Sequence, residues 1–283
     1  MVETGLVTSI RQLTYQPGRG ASDTVEVLSF ARLRRLDVRA TQRADFAVLA
    51  FVDEGRGAVS VDFERAALGP GSVVRVPPGA VHRWDDVARV EGRLVLFSVA
   101  APAAAWTRHL FSDGGTAGVR RLPPDDELLV RAALDHLALE AGVAPGRAMP
   151  AVPELLLSAL LARLGRSEPA AAPDPAATLF FRFRDLVEEH FRERHDAGFY
   201  ARRLGCSPRT LSRAVAAATG TTAKAYVTAR LVLEARRLLA HDRLTAARCA
   251  ARLGFVDASR FSAFFVAATG ERPGAWQRRA TAW

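Results

Sequence analysis

The sequence predicts an α+β chain of two domains: an N-terminal β barrel or sandwich with trailing helices, and a C-terminal all-α domain. Three observations carry that expectation. Short apolar segments separated by turn residues fill the region from about 5 to 122, helical periodicity takes over from about 124, and the excess of positive charge is confined to the last third. A length of 283 residues is long for one domain and sufficient for two.

The β segments read as Phe46–Val52, Ala58–Phe63, Ser72–Val76 and Arg93–Val99. Between them stand Asp53-Glu54-Gly55-Arg56-Gly57, Gly69-Pro70-Gly71 and Pro77-Pro78-Gly79. Strands at this spacing favour a sandwich or barrel. Residues 124–164 read as two helices. Asp125-Asp126-Glu127 puts negative charge at the start of the first, whose apolar positions are Leu128, Ala132, Leu134, Leu137 and Leu139. The second is rich in leucine, Leu155-Leu156-Leu157-Ser158-Ala159-Leu160-Leu161. The Pro/Ala-rich run 165–177 is a linker. This bounds the domains at 1–164 and 178–283.

Residues 178–283 hold 19 Lys and Arg against 9 Asp and Glu, a net of +10, whereas residues 1–177 hold 20 against 21. Of the 39 basic residues all but Lys224 are arginine. A basic module joined to a neutral one calls for an acidic partner, nucleic acid first and a membrane surface second. No stretch approaches the roughly 18 unbroken apolar residues of a membrane span. The first twenty residues lack the apolar core of a secretory signal. Cys206 and Cys249 are expected as free thiols in the cytoplasm.

The basic region repeats itself. Ala201-Arg202-Arg203-Leu204-Gly205 returns as Ala250-Ala251-Arg252-Leu253-Gly254, and Ala217-Ala218-Thr219-Gly220 as Ala267-Ala268-Thr269-Gly270. Each copy reads as a helix-turn-helix, the first at about 197–218 and the second at about 245–269. In the first, Phe199–Leu204 is a short helix and Gly205 makes the turn. Ser207 caps the next helix, Pro208 opens it and Gly220 ends it. Arg209, Ser212 and Arg213 fall on its outer face, in the first two turns that meet base edges in a recognition helix. In the second copy Thr245 caps a helix over Ala246–Leu253. The turn is one residue longer, and Asp257 or Ser259 caps a helix over Ala258–Thr269. Thr222–Ala240 reads as one long helix holding the copies apart. On a duplex, recognition helices one turn, roughly 34 Å, apart enter successive major-groove segments.

This third of the chain resembles the AraC/XylS family. The resemblance rests on Gly254-Phe255-x-Asp257-x-Ser259-x-Phe261-x-x-x-Phe265 and on Gly270-x-x-Pro273-x-x-Trp276. It implies direct binding to double-stranded promoter DNA, with RNA polymerase as a further candidate partner. It implies DNA-facing positions at Ser207, Arg209, Thr210, Ser212 and Arg213, and at Ser259, Arg260, Ser262 and Ala263. The chain departs from the family at Ala263 and at Val266-Ala267, where basic residues are frequent. The second recognition helix thus keeps Arg260 as its only charge. Base-edge discrimination is therefore expected from Arg209 and Arg213. The second helix contributes positioning, methyl contacts or shape readout.

In the N-terminal region, Gly71-x5-Pro77-x-Gly79-x2-His82 resembles a motif of the cupin fold, a β jelly roll. The His-x-His partner motif of metal-bearing cupins is expected near 39–51, and no histidine stands there. One histidine does not hold a catalytic metal. No metal, cofactor or catalytic residue is therefore expected, and the chain reads as a regulator rather than an enzyme. His82 and Trp84 either line an effector pocket or serve as buried structural groups. The resemblance implies a small-molecule effector in the barrel and a homodimer. The Leu-rich helix at 154–164 serves either as the dimer contact or as a cover for the barrel. The alternatives are a constitutive DNA-binding dimer with a ligand-free cupin, and a cupin enzyme fused to a DNA-binding module.

Overall fold

A computed structural model describes residues 11–13, 24–36, 41–98, 100–104, 118–143, 149, 151–165 and 175–280. Most of the N-terminal segment and linker residues 166–174 lie outside it. Described residues up to 165 and those from 175 belong to two separate compact units.

The first unit contains β1 (Arg11–Leu13), β2 (Val25–Ser29), α1 (Phe30–Arg35), β3 (Gln42–Ala44), β4 (Ala47–Glu54), β5 (Gly57–Val61), β6 (Glu64–Leu68), β7 (Ser72–Val76), β8 (Val81–Asp86), β9 (Glu91–Phe97) and β10 (Gly118–Arg121). Two helices follow, α2 (Pro124–Ala141) and α3 (Val152–Gly165). One sheet has the order β1-β3-β8-β5-β6 and the other β10-β7-β4-β9-β2. From β3 to β9 the chain passes back and forth between the sheets, as in a jelly roll. Strand β4 explains the unbroken apolar run at 46–52. Val48, Ala50 and Val52 face the interior between the sheets. Ala47, Leu49 and Phe51 face the opposite way, into a second core closed by α2 and α3.

The Leu-rich helix takes part in that second core. Leu157, Leu160, Leu161 and Leu164 are buried with Leu49, Phe51 and Val95, so this face of the helix covers the sheet, while Leu155 on the same helix is exposed. In α2 the buried stripe is Val130, Leu134 and Leu137, at helical spacing. Leu128 and Leu139, expected within that stripe, are exposed. The expected strand Ala58–Phe63 stops at Val61. Asp62 and Phe63 both take positive φ, 44° and 76°, and form a two-residue hairpin turn. The Asp62 carboxylate accepts from the Val81 backbone N–H at 3.1 Å, which ties that turn to β8.

The second unit contains α4 (Pro175–His190), α5 (Ala197–Arg203), α6 (Pro208–Thr219), α7 (Ala223–Ala240), α8 (Ala246–Arg252), α9 (Ala258–Thr269) and α10 (Pro273–Ala280). Helix α4 begins inside the run read as linker, because Pro175 suits a first helical position. Twelve of the eighteen residues of α7 are buried. Helices α5, α6, α8, α9 and α10 pack on it, and Phe180 and Phe183 of α4 meet its Tyr226 ring. No helix among the described residues is long and apolar enough to cross a membrane.

Leu160 is fully buried between helix and sheet. Leu160→Ala is expected to cost the N-terminal unit about 2–5 kcal/mol. A fall in its denaturant midpoint at unchanged m-value checks this.

Candidate nucleic-acid interface

Each helix-turn-helix is built by local signals that satisfy its own backbone. Asp196 caps α5, its carboxylate accepting from the N–H groups of Gly198 and Phe199, both at 3.1 Å. That cap starts the helix at Ala197, earlier than the expected Phe199, and an Asp ahead of a short helix is a signal legible in sequence. After α5, Gly205 takes φ +69°, and the Cys206 N–H donates back to the Ala201 carbonyl at 3.0 Å. The second copy does the same: Gly254 takes φ +69° and the Phe255 N–H donates to the Ala250 carbonyl at 2.9 Å. Ser207 caps α6, accepting from the Thr210 N–H at 3.0 Å. Asp257, not Ser259, caps α9, accepting from the Arg260 N–H at 2.7 Å. Both helices end on a left-handed glycine, Gly220 and Gly270. The first turns thus repeat at an offset of 49 residues and the caps at 50, so the extra turn residue is Val256, which is 87% exposed.

At the offset of 50 the two recognition helices have matching faces. Leu211 and Val215 are fully buried, as are Phe261 and Phe265. Arg209, Thr210 and Arg213 are exposed, as are their counterparts Ser259, Arg260 and Ala263. Ser212 and Ser262 are half-buried at the flank of each face. Ser207 is exposed, but its hydroxyl is engaged with Thr210, both at the backbone and with the Thr210 hydroxyl at 2.8 Å. Each face runs on beyond the positions expected from sequence, through Ala216 and Ala217 in α6 and Val266 and Ala267 in α9. The repeat offset itself was the signal that could have found them. An open groove of about 540 Å³ runs along α7 from Thr222 and Lys224 to Val232 and Arg236, with Ala268 of α9 on its border.

The second turn is anchored where the first is free. A Cβ on Gly254 would stand 2.4 Å from the Arg192 carbonyl oxygen, whereas nothing lies within 4 Å of one on Gly205. Phe255 stacks at 4.7 Å on His195, whose imidazole burial pushes down from its usual pKa. The second copy therefore leans on the segment that leads into the first. Phe261 and Phe265 interlock with Phe255 and Trp276, as core rather than as stacking platforms. Cys249 is buried, and burial with the nearby Asp242 pushes its thiol up to about 12.

The candidate effector residues lie in the first unit. His82 and Trp84 are 3% and 2% exposed, with ring centroids 6.2 Å apart. Both line a cavity of about 130 Å³ with Gln42, Leu33, Phe46 and Leu94. The His82 imidazole is buried, with the Ala80 backbone and the Asp62 carboxylate as its polar neighbours. Burial pushes the imidazole down to about 4, against the opposing influence of Asp62 and the Ala80 backbone. Among the described residues no group of three or more His, Cys, Asp or Glu side chains is placed to hold a metal ion.

Two substitutions separate the two turns. Gly205→Ala is expected to cost about 1–2 kcal/mol, the penalty of left-handed backbone alone. Gly254→Ala, which also drives a methyl into backbone, is expected to cost about 3 kcal/mol or more. Thermal denaturation of both variants checks the ordering. His82 generates a pH dependence. Above pH 6.5 the imidazole is neutral in folded and unfolded chains alike. Between 6.5 and about 4 only the unfolded chain takes up the proton, so stability falls with pH, by roughly 3 kcal/mol in all. Denaturation midpoints of the protein and of His82→Gln across that window should diverge towards acid, the variant losing less.

Residues 200–279 match the family model described as a helix-turn-helix domain. No curated protein matches the chain. Among solved structures it is similar to the C-terminal domain of AraT, a response regulator from Geobacillus stearothermophilus, at 26% identity, covering 38% of this chain and 88% of that one, with a TM-score of 0.34. It is similar to the DNA-binding domain of AdpA, a global transcriptional factor, in complex with a target DNA, at 28% identity over 38% and 95%, with a TM-score of 0.33. It is also similar to ToxT from Vibrio cholerae O395, at 10% identity over 92% and 98%, with a TM-score of 0.41.

Proposed function

We propose, from the AraC-type helix-turn-helix domain that this chain carries as a DNA-binding transcription regulator, that it binds promoter DNA sequence-specifically under the control of a small-molecule effector in the N-terminal barrel. The observation that carries the reading is the pair of matching exposed faces on α6 and α9, each supported by a buried apolar stripe on the same helix. An element held rigidly from behind, with its first two turns exposed, is what insertion into a major groove requires.

The two faces divide the work by chemistry. Helix α6 presents Arg209 and Arg213, and a guanidinium that grips guanine at two atoms is worth about 1–3 kcal/mol of discrimination. Helix α9 presents Arg260 beside Ser259, Ala263, Val266 and Ala267. Its small apolar groups suit thymine methyls and groove shape, and Arg260 suits a phosphate. Ser207, Thr210, Ser212 and Ser262 complete the contact surface, the serines at the caps and flanks positioning the helices on the backbone. The protein acts in the cytoplasm as a homodimer, with RNA polymerase as a further partner. Its barrel, with His82 and Trp84 in the cavity wall, binds the effector rather than performing catalysis.

Selection of binding sites from random duplexes tests this. The protein is expected to enrich one defined motif, with log affinity falling by about 0.9 per phosphate neutralised as log salt rises. Arg209→Ala with Arg213→Ala is expected to erase preference in the half of the motif read by α6 and leave salt-dependent binding in place. Retention of the full motif by that variant would contradict the assignment.

A further inference from the structure

The cavity between the sheets has a composition that specifies a ligand. Its wall is almost entirely apolar, with Leu33 and Leu36 at the end of α1, Phe46 on the link to β4, and Leu94 and Leu96 on β9. Among the described residues, Gln42 and His82 interrupt that wall beside the Trp84 indole, and they are neighbours. Gln42 of β3 stands directly opposite His82 of β8 in the strand pairing. Side chains so paired share one face of a sheet about 5 Å apart. Both residues are more than nine-tenths buried, and both line the cavity. Trp84 is held edge-on by Phe30 at 5.5 Å and stiffens the wall beside the pair.

We infer that this cavity is a binding site for a small neutral apolar molecule of about one six-membered ring that carries a single hydroxyl, a phenol or cyclic alcohol, gripped between His82 and Gln42. The volume of about 130 Å³ is close to that of an apolar cavity known to take up benzene, about 150 Å³. A hydroxyl donates one hydrogen bond and accepts another, which is what an imidazole nitrogen and a side-chain amide in register can answer. An anion is disfavoured. Burial keeps the imidazole neutral near pH 7, and among the described residues no cationic side chain lines the cavity. A carboxylate placed there would be desolvated without a counter-charge.

This assignment rests on the reading of the barrel as an effector site, and the test separates the two. Calorimetric titration of the full chain at pH 7.5 with phenol, benzene and benzoate reads the ligand class. Phenol is expected to bind about tenfold more tightly than benzene, a step of about 1.4 kcal/mol, with no heat from benzoate. His82→Leu and, separately, Gln42→Leu are expected to abolish the preference for phenol while still taking up benzene, which also shows that the cavity has formed. Benzoate binding as tightly as phenol, no binding of any ring, or an undiminished phenol preference in both variants overturns the site. Affinity for the selected operator, measured with and without phenol, reports on regulation alone. Unchanged operator affinity at phenol saturation retains the ligand site and removes the sensing role.

Discussion

The C-terminal unit depends on a single constraint: helix α7 must be bound from several sides at once, and part of what it buries is charge. Arg230, Glu234 and Arg237 occupy successive turns of α7 and are 7%, 4% and 2% exposed. Arg230 reaches the Glu188 carboxylate of α4 at 2.8 Å and lies 3.9 Å above the Phe191 ring. Glu234 is shared among Arg230, Arg237 and Arg192 at 3.4, 3.6 and 3.0 Å. A buried carboxylate between guanidinium groups adds little net stability against an apolar replacement, but leaving either side unpaired is costly. The network joins α7 to α4 and to Arg192, and α6 and α9 both pack on the same helix.

The spacing of the two recognition helices is thus set inside the protein before any duplex is met. Local capping determines where each helix starts and stops, α7 carries both, and the contact of Gly254 with the Arg192 carbonyl ties the second turn to the segment ahead of the first. Little is left to be ordered on binding, which limits the entropic cost of association. The chemical contrast between the two exposed faces then stands out: paired arginines on one, small apolar side chains around one arginine on the other.

Much of this was legible in sequence, and the parts that were not have physical reasons. Glycines needing positive φ, Ser207 and Thr245 as caps, Pro208 and Pro273 as openers and the repeat itself are local signals, and each stands where the residues indicated. Boundaries slipped where the determinant was tertiary. The hairpin at Asp62-Phe63 has no glycine and is held by a hydrogen bond to β8, nineteen residues on. Of the expected apolar positions of α2, Leu134 and Leu137 lie in the buried stripe with Val130, while Leu128, Ala132 and Leu139 fall outside its helical spacing and are exposed. Strand β6 escaped because Glu64 and Arg65 open it with charge, and Arg65 finds its partner Asp85 only across the sheet on β8. The pairing of Gln42 with His82 joins residues forty positions apart and has no signature in either segment.

The central claim is that α6 and α9 enter neighbouring major-groove segments on one side of a duplex. Hydroxyl-radical footprinting of the full chain on its selected operator, combined with guanine-methylation interference, measures this most directly. Two protected segments centred about one helical turn, roughly 10 base pairs, apart on the same face are the predicted result, with interference by guanine methylation strongest in one of them. A single protected segment, or two on opposite faces of the duplex, would contradict the account.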